Sequence, residues 1–590
     1  MSSDKSSARQ KTFMGKGEDL ASSPWRYRLM LCIILGVLGI LIGRIVYLQV
    51  ITRQFLADQG NIRAIRTIPV NAHRGMITDR NGAPLAVSTP VSTIWANPHH
   101  LPHDTAQLSR LAEALGEDPQ SFIAHINSLR SRGFIYLARL IPPMDGDRIM
   151  ALNIPGVYNQ PDYQRYYPAG DVTASLVGLT NIDQGGEAGL ELAYNQWLTG
   201  IPGKLRVLED QRGDLISELH LLRPAHPGGK LTLSISLPLQ FAAFQAVADT
   251  VTKDEATSGS MVVMNAHTGE VLAAASYPSF NPNNRSNMNV DGLRMRAITD
   301  AFEPGSVMKP LAMSGILKTG LIPNNIVVDT EPGYMRVDQY TIRDDLDFGR
   351  LTLGGIITDS SNIGMTKLAL KVPNDAIWNM YNSMGLGRTL MTGFPGEASG
   401  SLPSPYQWST AKRATLAYGY GLSASALQLA SAYTTIANNG CYISPSLLKL
   451  STPAKCHQLI APNEAHQILG YMENVVGPYG TAPTARIPGY LVAGKTGTAH
   501  EVHGGGYQKD VYRSNFVGIV PANDPRLIVV VTISGSRHGF FGGLVAAPLF
   551  SKVAALGLRQ MNIPPDHADA HHHYLTTQQM DQLAQQGGSG

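Results

Sequence analysis

The pattern of apolar and polar positions divides the chain unevenly. Its most apolar stretch comes first: Leu29–Gly43 (LMLCIILGVLGILIG) carries no charge and continues past Arg44 as IVYLQVI. With Arg44 able to snorkel toward an interface, residues 27–47 suffice to span a bilayer core. Lys5, Arg9, Lys11, Lys16, Arg26 and Arg28 precede this run, against Asp4, Glu18 and Asp19. That excess places residues 1–26 in the cytoplasm and the body on the other side of the membrane. No small-residue cleavage site follows, which favours a retained anchor over a cleaved signal peptide.

Beyond the anchor, residues 52–72 mix polar and apolar positions and read as a connector. Arg74–Ala86 (RGMITDRNGAPLA) reads as a hairpin turning at Asn81-Gly82, with Arg74, Asp79 and Arg80 fixing the turn. Helical patterns interrupted by Gly and Pro occupy 105–153, and short helical and strand signals follow over 165–216. Pro224–Gly229 (PAHPGG) is the main break. After it come a short alternating strand, Ser236 as a helix cap, a helix, and a strand hairpin over 261–276. A helix-rich middle closes at Gly440. Two β-branched runs, 515–521 and 526–534, predict late strands. Strands early and late with helices between predict one sheet whose terminal segments meet, packed by helices. The expected organisation is a tail (1–26), an anchor (27–47), an α+β domain with linker (48–226), an α/β domain (227–562) and a polar tail (563–590). His571-His572-His573 are expected in that solvated tail.

Length alone requires more than one core. Composition adds exclusions: 43% apolar and 15% charged residues with a net charge of +3 give an ordinary globular balance. No dense basic cluster, basic–aromatic patch or Cys/His zinc spacing occurs, so neither nucleic acid nor a structural metal is expected. Of three cysteines, Cys32 lies in the span, whereas Cys441 and Cys456 fall in the body. Spacing leaves open whether these two pair or stay as buried thiols.

The chemistry turns on two cheap motifs. Ser-x-x-Lys occurs at Ser2/Lys5, Ser306/Lys309, Ser409/Lys412 and Ser446/Lys449, and Lys-Thr-Gly at 318–320 and 495–497. Context separates them. Ser409 opens a helical pattern, as a cap does. Ser306 follows Glu-Pro-Gly and precedes an apolar helical run; Pro310 is tolerable only in a first turn, which pins the helix start near Ser306. Spacing of i, i+3 then sets Lys309 on the same face. A serine hydroxyl needs an adjacent base, and a lysine in a dry site near a second cation can serve as one. Lys318-Thr319-Gly320 reads as a helix end with Pro323 beyond. Lys495-Thr496-Gly497, with Thr498, precedes two strand signals and suits an edge strand facing a pocket. Between the two lies Ser360-x-Asn362 at the head of a helical pattern. The ordered set Ser-x-x-Lys, Ser-x-Asn, Lys-Thr-Gly is that of penicillin-binding proteins and β-lactamases.

With RGMITDRNGAPLA, RYYPAG, Gly186-x-x-Gly189-x-Glu191 and PSFNPNN in order, nearly the whole chain resembles the class B penicillin-binding proteins. FEPGS, SSN and GYGLSASALQLA make it most similar to the division-specific penicillin-binding protein 3 type. The resemblance implies a non-catalytic pedestal, a penicillin-recognising transpeptidase domain whose sheet is antiparallel, and no cofactor. Ser306 would be acylated by the penultimate D-Ala of a stem peptide ending in D-Ala-D-Ala, with Lys309 as base. Ser360 and Lys495 would relay a proton, and Asn362 would orient the substrate amide. Thr496, Gly497 and Thr498 would line the carboxylate site, the N–H groups of Ser306 and Thr498 would form an oxyanion hole, and Phe540 and Phe541 would flank it or fill a core. β-Lactams would trap the acyl-enzyme. The family implies a bacterial inner-membrane location, a septal glycosyltransferase partner and other division proteins.

Departures are few. Ser236 stands where the family has Asp, Ser425-Ala426 where it has Thr-Pro, and Asp359 precedes the Ser-x-Asn. They suit a specialised second copy of the division enzyme as well as the division enzyme itself.

Overall fold

The computed structural model describes residues 24–55, 64–209, 215–286, 288–452, 454–503, 506–565, 568–576, 579 and 582. Ser2/Lys5 and the charged segment before residue 24 lie outside the described residues. The chain forms two compact units, one of residues 1–70 with 204–224 and one of 71–203 with 225–590.

In the first unit the uncharged run forms one exposed helix, Pro24–Val46, extended by a wider turn over Tyr47–Ile51. Trp25–Ile51 is long and apolar enough to cross a membrane. The expected connector is not all irregular: Ile65–Val70 pairs with Gly203–Glu209 and then Leu215–Arg223 in a three-stranded sheet.

In the second unit, Pro84–Ala96 pairs antiparallel with Ile135–Ile141 and Val157–Tyr166. Thr105–Leu115, Pro119–Ser128 and Pro143–Met150 are helices, and Ile94, Leu111, Phe122, Ile126 and Ile149 meet in a small core. Strand Ile135–Ile141 falls inside the stretch expected to be helical. IYLARLI has no decisive period, and pairing to Pro84–Ala96 settles it.

The hairpin charges do more than fix a turn. Asp79 does fix it, accepting from the N–H groups of Asn81 and Ala83 at 2.8 Å each. Its other oxygen reaches Leu237 N at 3.1 Å and caps that helix. Ser236 occupies the cap position but makes no cap bond; its Oγ meets Gln560 instead, at 3.2 Å. Arg80 pairs with Glu270 at 3.2 Å. Arg74 is buried: its Nε meets Glu191 Oε2 at 2.5 Å and its Nη1 meets Asn195 Oδ1 at 2.8 Å. Arg165 Nε holds the other oxygen of Glu191 at 2.7 Å.

The larger core surrounds an antiparallel sheet of Ser258–Asn265 (β1), Val271–Tyr277 (β2), Ala493–His503 (β3), Gly506–Val520 (β4) and Leu527–Ser534 (β5). Its order is β2-β1-β5-β4-β3, so the segment carrying Lys495 is an edge strand. Every residue of LIVVVTIS in β5 is buried, because both faces of the sheet are covered. Leu237–Lys253 (α1) packs on β1 and β2. Helices Lys309–Leu317 (α2), Asn362–Lys371 (α3), Ala426–Ala437 (α4), Pro462–Val476 (α5) and Ala547–Gln560 (α6) complete the layers. α4 packs on β1 and β5, and all its residues are buried, with the polar side chains of Gln428, Ser431 and Thr434 hydrogen-bonded to backbone carbonyls. Ser425 and Gln428 close a capping box at its start, so Ser-Ala does the local work at this departure.

Cys441 and Cys456 are joined, their Cα atoms 5.5 Å apart. The tail is not simply solvated over 568–576: Asp569 accepts from Gly489 N at 3.2 Å, and Leu575 N donates to Asn474 Oδ1 at 3.3 Å. His572 lies 3.5 Å from Glu473.

Candidate active site

The nucleophile sits where Glu-Pro-Gly predicts a sharp turn. Gly305 has φ +64°, and its N–H donates to Gly419 O at 3.1 Å. A 3-10 turn over Gly305–Met308 passes directly into α2, with Pro310 in its first turn. Lys309 therefore emerges one turn after Ser306 and is fully buried. The nearby Lys318-Thr319-Gly320 ends α2: Lys318 is the cap residue and Gly320 takes φ +68°. Ser409 caps its helix through Lys412 N, and Ser446 bonds Leu448 O at 2.8 Å in a turn.

Lys309 Nζ lies 3.0 Å from Ser306 Oγ, 3.0 Å from Ser360 Oγ and 2.8 Å from Asn362 Oδ1, and it also donates to the carbonyl of Ser360. Lys495 Nζ is 2.8 Å from Ser360 Oγ. Neither lysine forms an ion pair among the described residues. Burial lowers Lys309 to about 7, while the charges of Asp344 and Asp345 act upward. Lys495 is held well below its ordinary value by burial and then by the adjacent Lys309. A neutral Lys309 has two hydrogens and a lone pair. The Ser360 carbonyl and Asn362 Oδ1 only accept, so they claim the hydrogens and leave the lone pair for the Ser306 hydroxyl.

Ser-x-Asn divides its labour. The helix cap is the middle residue, Ser361, whose Oγ accepts from Gly364 N at 2.8 Å. Ser360 is thereby released into the site, with φ +61°. Asn362 Nδ2 donates to Arg343 O at 2.9 Å, which points Oδ1 at Lys309.

β3 closes the other side. Gly497 is there for space: a Cβ would lie 2.9 Å from Pro304 O and 3.0 Å from Val307 Cγ1. Asn515, opposite Gly497 on β4, donates to Pro304 O at 3.1 Å and ties the sheet to the nucleophile's turn. Thr496 Oγ1 is 3.0 Å from Thr481 Oγ1, and Thr498 Oγ1 accepts from Gly542 N at 3.3 Å. Accepting leaves Thr498 its own hydrogen to donate to a ligand.

Phe540 and Phe541 are not core residues, being 38% and 51% exposed. Phe540 stacks on Tyr512 at 4.5 Å and meets Phe541 at 4.4 Å; the His500 ring also lies 4.5 Å from Tyr512. His500 and Tyr512 carry no motif, and their only sequence signal is their place on the strands beside Lys-Thr-Gly-Thr. Asp344, Thr481 and Asn515 were equally invisible, because each reaches the site through the fold. A cleft of about 360 Å³ beyond Thr498 is lined by Phe302, Glu303, Ser423, His500, Glu501 and Arg513.

Residues 259–555 match the penicillin binding protein transpeptidase domain family, and residues 69–233 the penicillin-binding protein dimerisation domain family. The chain is 42% identical to a probable peptidoglycan D,D-transpeptidase, PbpC, of Pseudomonas aeruginosa, over 94% of this chain and 100% of the relative. It is 40% identical to the peptidoglycan D,D-transpeptidase FtsI of Escherichia coli K12, over 92% and 93%. Among solved structures, the transpeptidase domain of Burkholderia pseudomallei penicillin-binding protein 3 aligns with 39% identity and a TM-score of 0.52, covering 57% of this chain and 97% of that one. Mycobacterium tuberculosis penicillin-binding protein 3, complexed with aztreonam, aligns with 27% identity and a TM-score of 0.65, covering 85% and 99%.

Proposed function

The chain belongs to the class B penicillin-binding proteins of the penicillin-binding protein 3 type, and from that premise we propose that Ser306 carries its acyl-enzyme. The chain is a serine-type peptidoglycan D,D-transpeptidase that cross-links stem peptides and is a target of β-lactams. One observation carries the assignment of roles: a buried lysine, without an ionic partner among the described residues, lies 3.0 Å from Ser306 Oγ.

In the proposed first half-reaction, Ser306 Oγ attacks the carbonyl of the penultimate D-Ala and its proton passes to Lys309 Nζ. The N–H groups of Ser306 and Thr498 hold the oxyanion. On collapse the C–N bond to the terminal D-Ala breaks. The leaving amine takes a proton from Ser360 Oγ, which is refilled through the chain Lys309–Ser360–Lys495, at 3.0 and 2.8 Å. Thr496 and Thr498 hold the terminal carboxylate and Asn362 the substrate amide. In the second half, an amine of another stem attacks the ester carbonyl and forms the new amide; the C–O bond to Ser306 breaks, and the amine's proton passes through Lys309 to Ser306 Oγ. Phe540 and Phe541 wall the groove beside Thr498.

The proposal extends to placement. Residues 1–26 lie in the cytoplasm, 27–47 span the bacterial inner membrane, 48–226 form the pedestal and 227–562 the periplasmic transpeptidase domain, with 563–590 a C-terminal extension. The basic excess before the apolar run Leu29–Gly43 supports this orientation. A septal glycosyltransferase and other division proteins are the proposed partners, and cell division is the setting, either as the principal enzyme or as a specialised second copy.

A labelled penicillin tests the assignment. Wild type labels covalently and Ser306→Ala does not; equal labelling of both removes Ser306 from its role. If neither labels, the chain is a silent division scaffold. Release of D-Ala without cross-links would make it a hydrolase of the same fold.

A further inference from the structure

The Ser360–Asn362 turn is held from outside by a residue that no motif contains. Tyr334–Val337 and Tyr340–Arg343 form a hairpin, and Asp344 follows directly. Asp344 Oδ1 accepts from the N–H groups of Asn362 at 2.5 Å and Ile363 at 3.0 Å, and Oδ2 from Ser361 Oγ at 2.5 Å. The preceding carbonyl, Arg343 O, takes Asn362 Nδ2. One hairpin end thus fixes both the backbone and the amide of Asn362. The hairpin is itself anchored: Val337 and Ile342 are buried with Ile363, and Asp344 N donates to Gly333 O at 3.0 Å.

This clamp explains how Ser360 keeps φ +61°, a conformation that side chains adopt only when their surroundings over-determine it. Ser360 lies between the cap Ser361 and the end of the helix Leu353–Thr358, and Asp344 locks the cap. We propose that Asp344 is a positioning residue for acyl transfer, holding Ser360 and Asn362 against Lys309 and biasing that lysine with its charge. The proposal rests on the function given above.

Its electrostatic half follows from what faces the lysines. Asp344 and Asp345 act on Lys309 from the hairpin end, and Lys495 lies across Ser360; Asp345 and Asp359 act on Lys495. Burial alone would carry Lys309 lower than about 7, and the two aspartates oppose it. An aspartate that only capped a helix would contribute stability and leave the titration of Lys309 unchanged.

The test is the pH profile of acylation by a labelled penicillin, on the full-length detergent-solubilised protein. Asp344→Asn keeps an acceptor for Asn362 and Ile363 but removes the charge. Its acid limb is expected to move down by about half a pH unit, roughly a threefold gain in neutral Lys309 well below the original midpoint and about 1.5-fold at it. Asp344→Ala is expected to lose about tenfold or more in plateau rate. An Asp344→Asn profile that superimposes on wild type overturns the electrostatic role, and an Asp344→Ala plateau within about twofold overturns the positioning role. Should both variants fail to fold, Ser361→Ala severs the same clamp from the other side, and wild-type acylation by it would sink the proposal. Labelling of wild type but not Ser306→Ala in the same series keeps the parent assignment standing, so the two failures are told apart.

Discussion

Two buried pairs of cations, one in the pedestal and one in the cleft, meet the same problem in opposite ways. Arg74 and Arg165 share Glu191, each through its Nε, and all three side chains are at most 2% exposed. Lys309 and Lys495, both fully buried, share only neutral partners among the described residues, chiefly the Ser360 hydroxyl. Guanidinium stays charged and matches a carboxylate geometrically, so the first pair ties the hairpin to Glu191 and the strand carrying Arg165. An ammonium denied a carboxylate loses its proton instead. Pairing makes architecture, and withholding the pair makes a base.

Breaking each pair should therefore have opposite consequences. Lys309→Met is expected to lower acylation by on the order of 10³-fold. Lysine at this position has a folded-state value below its unfolded one, so the unfolded chain binds more protons between them. Its burial penalty is complete below about 7 and fades as pH rises toward 10.5. The same variant should accordingly melt no lower than wild type at pH 6, as calorimetry can check. Glu191→Ala leaves two guanidiniums uncompensated and should destabilise the second unit by about 3–5 kcal/mol in denaturant titration. Whatever remains folded should acylate within about twofold of wild type. Equal melting of these two variants would erase the comparison.

Smaller effects sharpen it. Ser409→Ala removes only a helix cap and should cost about 1 kcal/mol, with acylation unchanged. Lys318→Ala, at the end of α2, should change acylation by less than about twofold, since that Lys-Thr-Gly is a helix stop.

Local signals were legible in the sequence, and reach across the fold was not. Glu-Pro-Gly before Ser306, Pro310 after it and the β-branched runs of β4 and β5 each state a backbone conformation, and the structure follows them. Ser236 misled because a cap-forming residue at a cap position says nothing about a competitor 157 positions away in sequence. Asp79 is that competitor, already fixed by its own turn and aimed at Leu237 N. Asp344 escaped for the same reason: its partners begin 17 residues later, at Ser361. Tyr512 escaped because stacking joins it, on β4, to Phe540 beyond β5. Phe540 and Phe541, left between groove and core by sequence, are half-exposed because the chain there leaves the sheet before Gly542 approaches Thr498.

The central claim is that Lys309 is neutral when it activates Ser306. The most direct measurement is the second-order rate constant for acylation by a labelled penicillin from pH 5 to 9. The account predicts a plateau above about 7 and a fall of about tenfold per pH unit below it. A rate constant that is as high at pH 5 as at pH 8, with Ser306 still the labelled residue, would contradict it.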